Sequence, residues 1–260
     1  MTALAFNNSK VQQLRRLLGR RSSRYDDGQF VVEGHVLTVE AVAAGWECQA
    51  QFWPTGVDGS IEGAGDCLSF AEGVFERVAS TDHPQPPLTV VNMREPDTDP
   101  AEAMAAASFV VVLDRVSDPG NLGTMLRSVE AAGADLVVLT PGSVDQYNPK
   151  TVRASAGALF HVPVVVATID QVAEAGFELF GSTSHDDPSR TTEPYTSADF
   201  KGRIALVMGN EAAGLPEEWT DSVGPIDCWV TVPHAGRSES LNVAMATTLL
   251  AFEAARQRAN

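Results

Sequence analysis

The chain has 260 residues, of which 44% are hydrophobic and 20% charged, enough apolar material to bury one large or two modest domains. Its formal net charge of −16 argues against indiscriminate attraction to nucleic acid. No apolar run reaches membrane-spanning length, and the first apolar segment is interrupted by Asn7, Asn8, Ser9, Lys10 and an arginine cluster, so the expected location is cytoplasmic with no membrane partner.

Cys48, Cys67 and Cys228 are odd in number and widely separated, which points to neither a disulfide framework nor a zinc site. The charge is unevenly spread. Residues 1–24 hold Lys10, Arg15, Arg16, Arg20, Arg21 and Arg24 and no acid, whereas residues 25–105 carry 15 acids and 2 bases. An acidic body with a basic N-terminal segment binds a polyanion in one place and repels it elsewhere.

From the N-terminus, Asn8 to Arg20 reads as a helix with Val11, Leu14 and Leu18 on one stripe and Asn7 or Asn8 as its cap. A strand at Gln29 to Val32 follows, then a helix through Val36, Val39, Glu40 and Val42 that stops at Gly45. A strand around Gln49 to Trp53, a helix from about Ser69 to Ala79 and a strand from Leu88 to Met93 complete an alternating set. This predicts a small α/β domain over residues 1–100. The acidic, proline-containing stretch from Arg94 to Ala101 reads as a linker.

A second domain, residues 106–260, restarts the pattern. Apolar strands are expected at Phe109 to Leu113, Leu136 to Leu139, Val162 to Val166, Phe177 to Gly181, Ile204 to Met208 and Ile226 to Val230. Helices are expected at Asn121 to Ala132, Pro149 to Phe160 and about Glu239 to Arg258. Near-continuous apolar strands separated by helices indicate a parallel sheet covered on both faces.

Four blocks carry chemistry. In Asp114-Arg-Val-Ser-Asp-Pro-Gly-Asn121 a strand runs into a Pro-Gly turn and a helix, which Asn121 is placed to cap and whose Arg127 sits about two turns in. This loop lacks the glycine spacing of a dinucleotide fingerprint and the Gly-Lys-Ser/Thr end of a P-loop, which counts against a nucleotide-dependent metabolic enzyme. In Tyr147-Asn-Pro-Lys-Thr-Val-Arg153, Lys150 and Arg153 fall three apart on one helix face and could grip a phosphate or merely form a basic helix start. The third block is Gly209-Asn-Glu211 with Gly214, and the fourth is Ser240-Leu-Asn-Val243. Each alone reads equally as a turn carboxylate or a helix cap; their joint order is far more specific.

In that order the blocks resemble the three motifs of the SpoU (TrmH-type) RNA ribose 2′-O-methyltransferases of the SPOUT superfamily, and the Asn-Pro-Lys block is similar to a further family signature. Gln29-Phe-Val-Val-Glu-Gly34 with Glu40-Ala41 resembles the ribosomal-protein-like substrate-binding domain of several members. The resemblance implies a SPOUT α/β fold whose parallel sheet ends in a C-terminal deep trefoil knot, S-adenosylmethionine as cofactor, RNA as partner and a homodimer. It also implies cofactor loops at Thr183, Ser184, Met208, Gly209, Asn210, Val232, Pro233 and Leu241.

Among the implied catalytic residues Arg127 is central. An arginine keeps its proton at neutral pH, so it is read as a cation that lowers the ribose hydroxyl pKa or holds the adjacent phosphate, with a base role left open. Glu211 would orient Arg127 or the cofactor, Ser240 and Asn242 would fix the ribose and the catalytic loop, and Asn121 would steady the first loop. Because the body is acidic, the RNA contacts are assigned to Arg15, Arg16, Arg20, Arg21, Arg24, Lys150, Arg153 and Arg237. The additional N-terminal domain favours ribosomal over transfer RNA. A non-catalytic RNA-binding assembly factor on the same fold is the reading from a different class.

Overall fold

The computed structural model describes residues 3–57, 59–94, 99–184, 191–219, 224–237 and 240–259. They form two units, the first made of 1–95 with 145–161 and the second of 96–144 with 162–260. Residues 145–161, which sequence reading put in the second domain, therefore group with the first.

In the first unit the Asn8 side chain caps α1 (Ser9–Gly19) by accepting from the Lys10 amide at 2.9 Å. The buried stripe of α1 is Val11, Leu14 and Leu17, with Leu18 only partly covered. An unforeseen helix, α2 (Arg21–Asp27), ends at Gly28 in the left-handed region. There follow β1 (Gln29–Glu33), α3 (His35–Ala43), β2 (Cys48–Trp53), β3 (Asp66–Ser69), α4 (Val74–Val78) and β4 (Leu88–Asn92).

The sheet order is β1-β4-β2-β3, with antiparallel pairs except for parallel β2 and β3. The helix expected over Ser69 to Ala79 contracts to α4. Its first part joins the sheet as the end of β3, and Gly73 at φ 72 starts a fresh turn that a continuous right-handed helix would not contain.

In the second unit Asp99 caps α5 (Pro100–Ala106), a helix missing from the sequence reading; residues 95–98 of the expected linker lie outside the described residues. Then come β5 (Phe109–Leu113), α6 (Pro119–Ala131) and β6 (Leu136–Leu139). The chain next contributes α7 (Pro149–Ala154) to the first unit and returns through β7 (Val164–Val166), α8 (Ile169–Glu174), β8 (Glu178–Ser182), β9 (Thr192–Pro194), β10 (Ile204–Met208), β11 (Cys228–Thr231) and α9 (Val243–Arg258). Glu239, the expected start of the last helix, lies outside the described residues.

The seven strands are all parallel in the order β7-β6-β5-β10-β8-β11-β9. This is the mixed α/β fold with a parallel sheet that alternation implied. Every residue of β5, β6 and β10 is buried, as a sheet covered on both faces requires. Three-residue β9 was missed because Thr-Glu-Pro has no apolar signature. Ser128 and Thr248, 2.7 Å apart, join α6 to α9.

Within the first unit, residues 145–161 are held by aromatic and polar contacts. The Phe30 and Tyr147 ring centroids are 4.7 Å apart, and Trp46 packs edge-on to Phe160 while its Nε1 donates to the Phe160 carbonyl at 3.1 Å. The helix expected from Pro149 to Phe160 breaks after α7, because Ala156 and Gly157 have φ of 49° and 99°, and resumes as a single 3-10 turn. At Gly157 any side chain would also press on the Glu40 Cγ, 2.9 Å from where its Cβ would sit.

Candidate active site

The site lies where β5, β8, β10 and β11 end, within the second unit. A parallel sheet presents its strand-end loops together on one edge, which is where ligands bind in such folds. A cleft of about 940 Å³ opens there.

The loop after β10 is shaped by its own residues. Asn210 and Gly214 exchange backbone hydrogen bonds at 3.1 and 2.9 Å, and the Asn210 Oδ1 accepts from the amides of Ala212 and Ala213, both at 3.0 Å. Gly214 is left-handed at φ 67, and a Cβ on Gly209 would collide with the Gly214 backbone. The Gly-Asn-Glu-x-x-Gly pattern is thus a closed knuckle, and its purpose is to project Glu211.

Glu211 gathers the loop that follows β5. Its carboxylate accepts from the Ser117 hydroxyl at 2.8 Å and amide at 3.1 Å, from the Asp118 amide at 3.0 Å and from the Asn121 side-chain amide at 3.1 Å. Burial alone would push its pKa up. The bonds from the Asp118 amide, the Asn121 side chain and the Ser117 amide outweigh that and hold it at about 2. Glu211 is therefore a fixed anion at neutral pH, and the described residues show it holding Ser117, Asp118 and Asn121 rather than Arg127.

The third block closes the network. The Asn242 Oδ1 caps α9 through the Ala244 amide at 3.0 Å, while its Nδ2 donates to the Asn121 Oδ1 at 3.1 Å. Asn121 does not cap α6. Asp118 does, accepting from the Asn121 amide at 2.9 Å, which leaves the Asn121 side chain to bridge Glu211 and Asn242. The Asp-Pro pair of residues 118 and 119 was the available signal, since aspartate before a first-turn proline is a strong helix start.

Of the expected cofactor residues, Thr183, Ser184, Met208, Gly209, Asn210, Val232 and Leu241 line the cleft, together with Glu211, Ser240 and Asn242. Pro233 is exposed and outside the lining. Sequence reading missed Trp229, Leu215, Glu217, Glu218 and His234, which line it too. Arg127 does not: it is exposed on α6, about two turns beyond Asn121.

The chemistry of the lining tests what the cleft accepts. Among the described residues it contains Glu211, Glu217 and Glu218 but neither lysine nor arginine, alongside apolar Met208, Leu215, Val232 and Leu241. A di- or triphosphate finds no cation there, whereas a sulfonium-bearing nucleoside such as S-adenosylmethionine, with a cationic centre and an apolar purine face, fits both charge and polarity.

The residues assigned to RNA separate into two groups. Arg15, Arg16, Arg20, Arg21, Lys150 and Arg237 are exposed. Arg24 is a correction: it is 3% exposed, its Nε donates to the buried Asp145 at 2.8 Å, its Nη1 bonds the Leu17 carbonyl at 2.8 Å and its Nη2 also reaches Asp145. Arg153 is likewise engaged, with Nη1 2.6 Å from the Ser80 hydroxyl and 3.6 Å from the buried Glu33 carboxylate. Arg77 lies 4.0 Å from the Phe6 ring centroid and Arg15 lies 4.5 Å from it, so the Phe6 ring carries two cations.

Residues 108–252 match the model of the SpoU rRNA methylase family, and residues 8–89 match the MRM3-like substrate binding domain. The chain belongs to the SpoU rRNA methylase family. It is 32% identical over 251 residues to the 23S rRNA (guanosine(2553)-2′-O)-methyltransferase of Bacillus subtilis, covering 94% of this chain and 95% of that one. It is 30% identical over 276 residues to the 23S rRNA (uridine(2479)-2′-O)-methyltransferase of Streptomyces viridochromogenes, covering 96% and 91%. The solved SpoU methyltransferase AviRb of that organism, in complex with AdoMet, superposes with a TM-score of 0.83 at 30% identity over 98% of this chain and 99% of that chain.

Proposed function

We propose that the protein transfers a methyl group from S-adenosylmethionine to a ribose 2′-hydroxyl of ribosomal RNA. The observation that carries the reading is the Glu211 network, which locks three separate sequence blocks around one cleft whose described lining holds no lysine or arginine. Both relatives above are named for this reaction on 23S rRNA.

Bound cofactor supplies a methyl group already activated by its sulfonium. The protein's task is to place a poor nucleophile in line with it and favour loss of the hydroxyl proton. Glu211, ionised down to about pH 2, is too weak a base for that proton and serves to hold the loop. Asn242 and Asn121 fix the same loop, and Ser240 at the cleft wall is assigned to the ribose. Arg127 supplies a positive charge for the developing alkoxide or the neighbouring phosphate.

Its position on the exposed face of α6 makes a homodimer part of this reading. Met245, Leu249 and Phe252, spaced four and three apart on α9, are 62%, 39% and 48% exposed. They form an apolar stripe that a second protomer would cover, bringing Arg127 to that protomer's cleft.

We further assign a deep trefoil knot to the C-terminal segment. Its support is the late strand β10 inserted between β5 and β8, with α9 returning onto α6. The first unit, with its exposed arginines, is assigned to RNA binding in the cytoplasm. No helix among the described residues is long and apolar enough to cross a membrane.

Ribosomal RNA from a strain lacking the protein, incubated with the purified chain and labelled S-adenosylmethionine, should gain label at one 2′-oxygen. Failure to label any rRNA, with intact cofactor binding by calorimetry, would favour the assembly-factor reading instead.

A further inference from the structure

Arg115, the second residue after β5, is the one described non-glycine residue of the second unit with positive φ, at 48°. L side chains avoid that region unless the surroundings impose it. Here they do. Its amide donates to the Thr140 Oγ1 at 3.0 Å, and its carbonyl accepts from the Asn210 Nδ2 at 2.8 Å. Its Nε donates to the Asp114 Oδ2 at 2.8 Å. Asp114 is itself fixed, with its side chain 4% exposed and its Oδ1 accepting from the Thr140 hydroxyl at 2.7 Å.

The result is a guanidinium clamped at one edge and open at the other. The Arg115 side chain is 46% exposed, and neither Nη atom bonds a described residue. Arg24 and Arg258 differ: the first spends Nη1 and Nη2 on buried partners, and the second spends both on carbonyls and a hydroxyl. Arg115 is also joined to the cleft, because Asn210, which holds its carbonyl, lines that cleft and contacts Glu211 at 3.3 Å.

The cleft needs such a group. Among the described residues its lining has three carboxylates and no lysine or arginine, so these residues repel an incoming polyanion where it must dock. We propose that Arg115 is a substrate-positioning residue whose two Nη atoms grip a phosphodiester of the RNA strand beside the target nucleotide. This rests on the methyltransferase reading above. Because Asp114 balances its charge, Arg115 contributes directed hydrogen bonds more than long-range attraction, so its effect falls on docking at the site.

The test uses Arg115→Asn, since asparagine tolerates a left-handed backbone, and Arg115→Lys, which keeps the charge but loses the planar fork. The probe is rRNA from cells lacking the protein, measured by filter binding and by methyl transfer. For Arg115→Asn we expect about tenfold weaker RNA binding and a KM for RNA raised to match, with kcat within about twofold and S-adenosylmethionine affinity unchanged; Arg115→Lys should recover only part of the loss.

RNA binding and KM within about twofold of wild type in a folded Arg115→Asn protein would overturn the proposal. So would full recovery by lysine combined with lower thermal stability and cofactor affinity in the asparagine variant, which would make Arg115 a staple for Asp114. Wild-type protein that binds rRNA but transfers no methyl group would sink the proposed function alone, because the binding ratio between variant and wild type still reads the grip.

Discussion

The loops leaving β5 and β6 begin from neighbouring parallel strands and use the same residue types for opposite ends. After β5, Asp118 caps α6, so the Asn121 side chain is spare and joins Glu211 and Asn242 at the cleft. After β6, Asn148 itself caps α7, its Oδ1 accepting from the Lys150 amide at 2.9 Å, and no bond from its side chain to a strand-end carboxylate is seen among the described residues. The carboxylates differ likewise. Glu211 is half-buried and gathers loop amides, whereas Asp145 is buried and neutralises Arg24. An Asn-Pro or Asp-Pro helix start thus says where a helix begins, while burial decides which polar atoms remain for chemistry.

The comparison breaks most visibly at Asp145. Asp145→Ala should destabilise the protein by about 3–5 kcal/mol in chemical denaturation, because Arg24 would be left as a buried unpaired charge. Methyl transfer per folded molecule should be little changed. A loss below about 1 kcal/mol would show that water replaces the carboxylate and that the pair is not structural.

Glu211→Ala should do the reverse. Stability should fall by about 1–2 kcal/mol, reduced from the buried value by the openness of the site, while methyl transfer should fall by about 100-fold as the loop loses its anchor. Turnover near wild type would separate the network from the chemistry.

The pH profile sharpens the same contrast. Folding lowers the Glu211 pKa from its ordinary value of 4.5 to about 2, so the stability it contributes is fully present above pH 4.5 and is lost as pH falls toward 2. The stability gap between wild type and Glu211→Gln should shrink across that window. A gap that stays constant from pH 5 to 2 would contradict the assignment.

The smallest effect belongs to the exposed arginines of the first unit. Arg16→Ala should change stability by less than about 0.5 kcal/mol and reduce the slope of log affinity against log salt for rRNA by about 0.7–0.9. An unchanged slope would remove Arg16 from the RNA contact.

These contrasts also mark how far the chain is legible as a string. The continuous apolar runs at 109–113, 136–139 and 204–208 are strands where expected, since only a sheet covered on both sides tolerates such runs. The Gly-Asn-Glu-x-x-Gly and Ser-x-Asn blocks came together because their turn chemistry is local. Arg24 was misread because its partner is not local: Asp145 lies 121 residues from it, and the contacts of half-buried Arg153 with Ser80 and Glu33 are likewise distant in sequence. The assignment of Asn121 as a cap failed for a smaller reason, a cap shifted three residues upstream to Asp118.

The excursion of residues 145–161 into the first unit has a consequence for modularity. A substrate-recognition module attached by a single linker can be exchanged during evolution, or by an engineer, with one cut. Here a cut near residue 95 would leave Arg24 without Asp145, Phe30 without Tyr147 and Trp46 without Phe160. Exchanging the first unit intact takes three junctions, near 95, 144 and 161, and its second piece is drawn from inside the stretch that matches the methylase family. The sequences of the two units are spliced into one another, so the first unit cannot be exchanged as a single cassette.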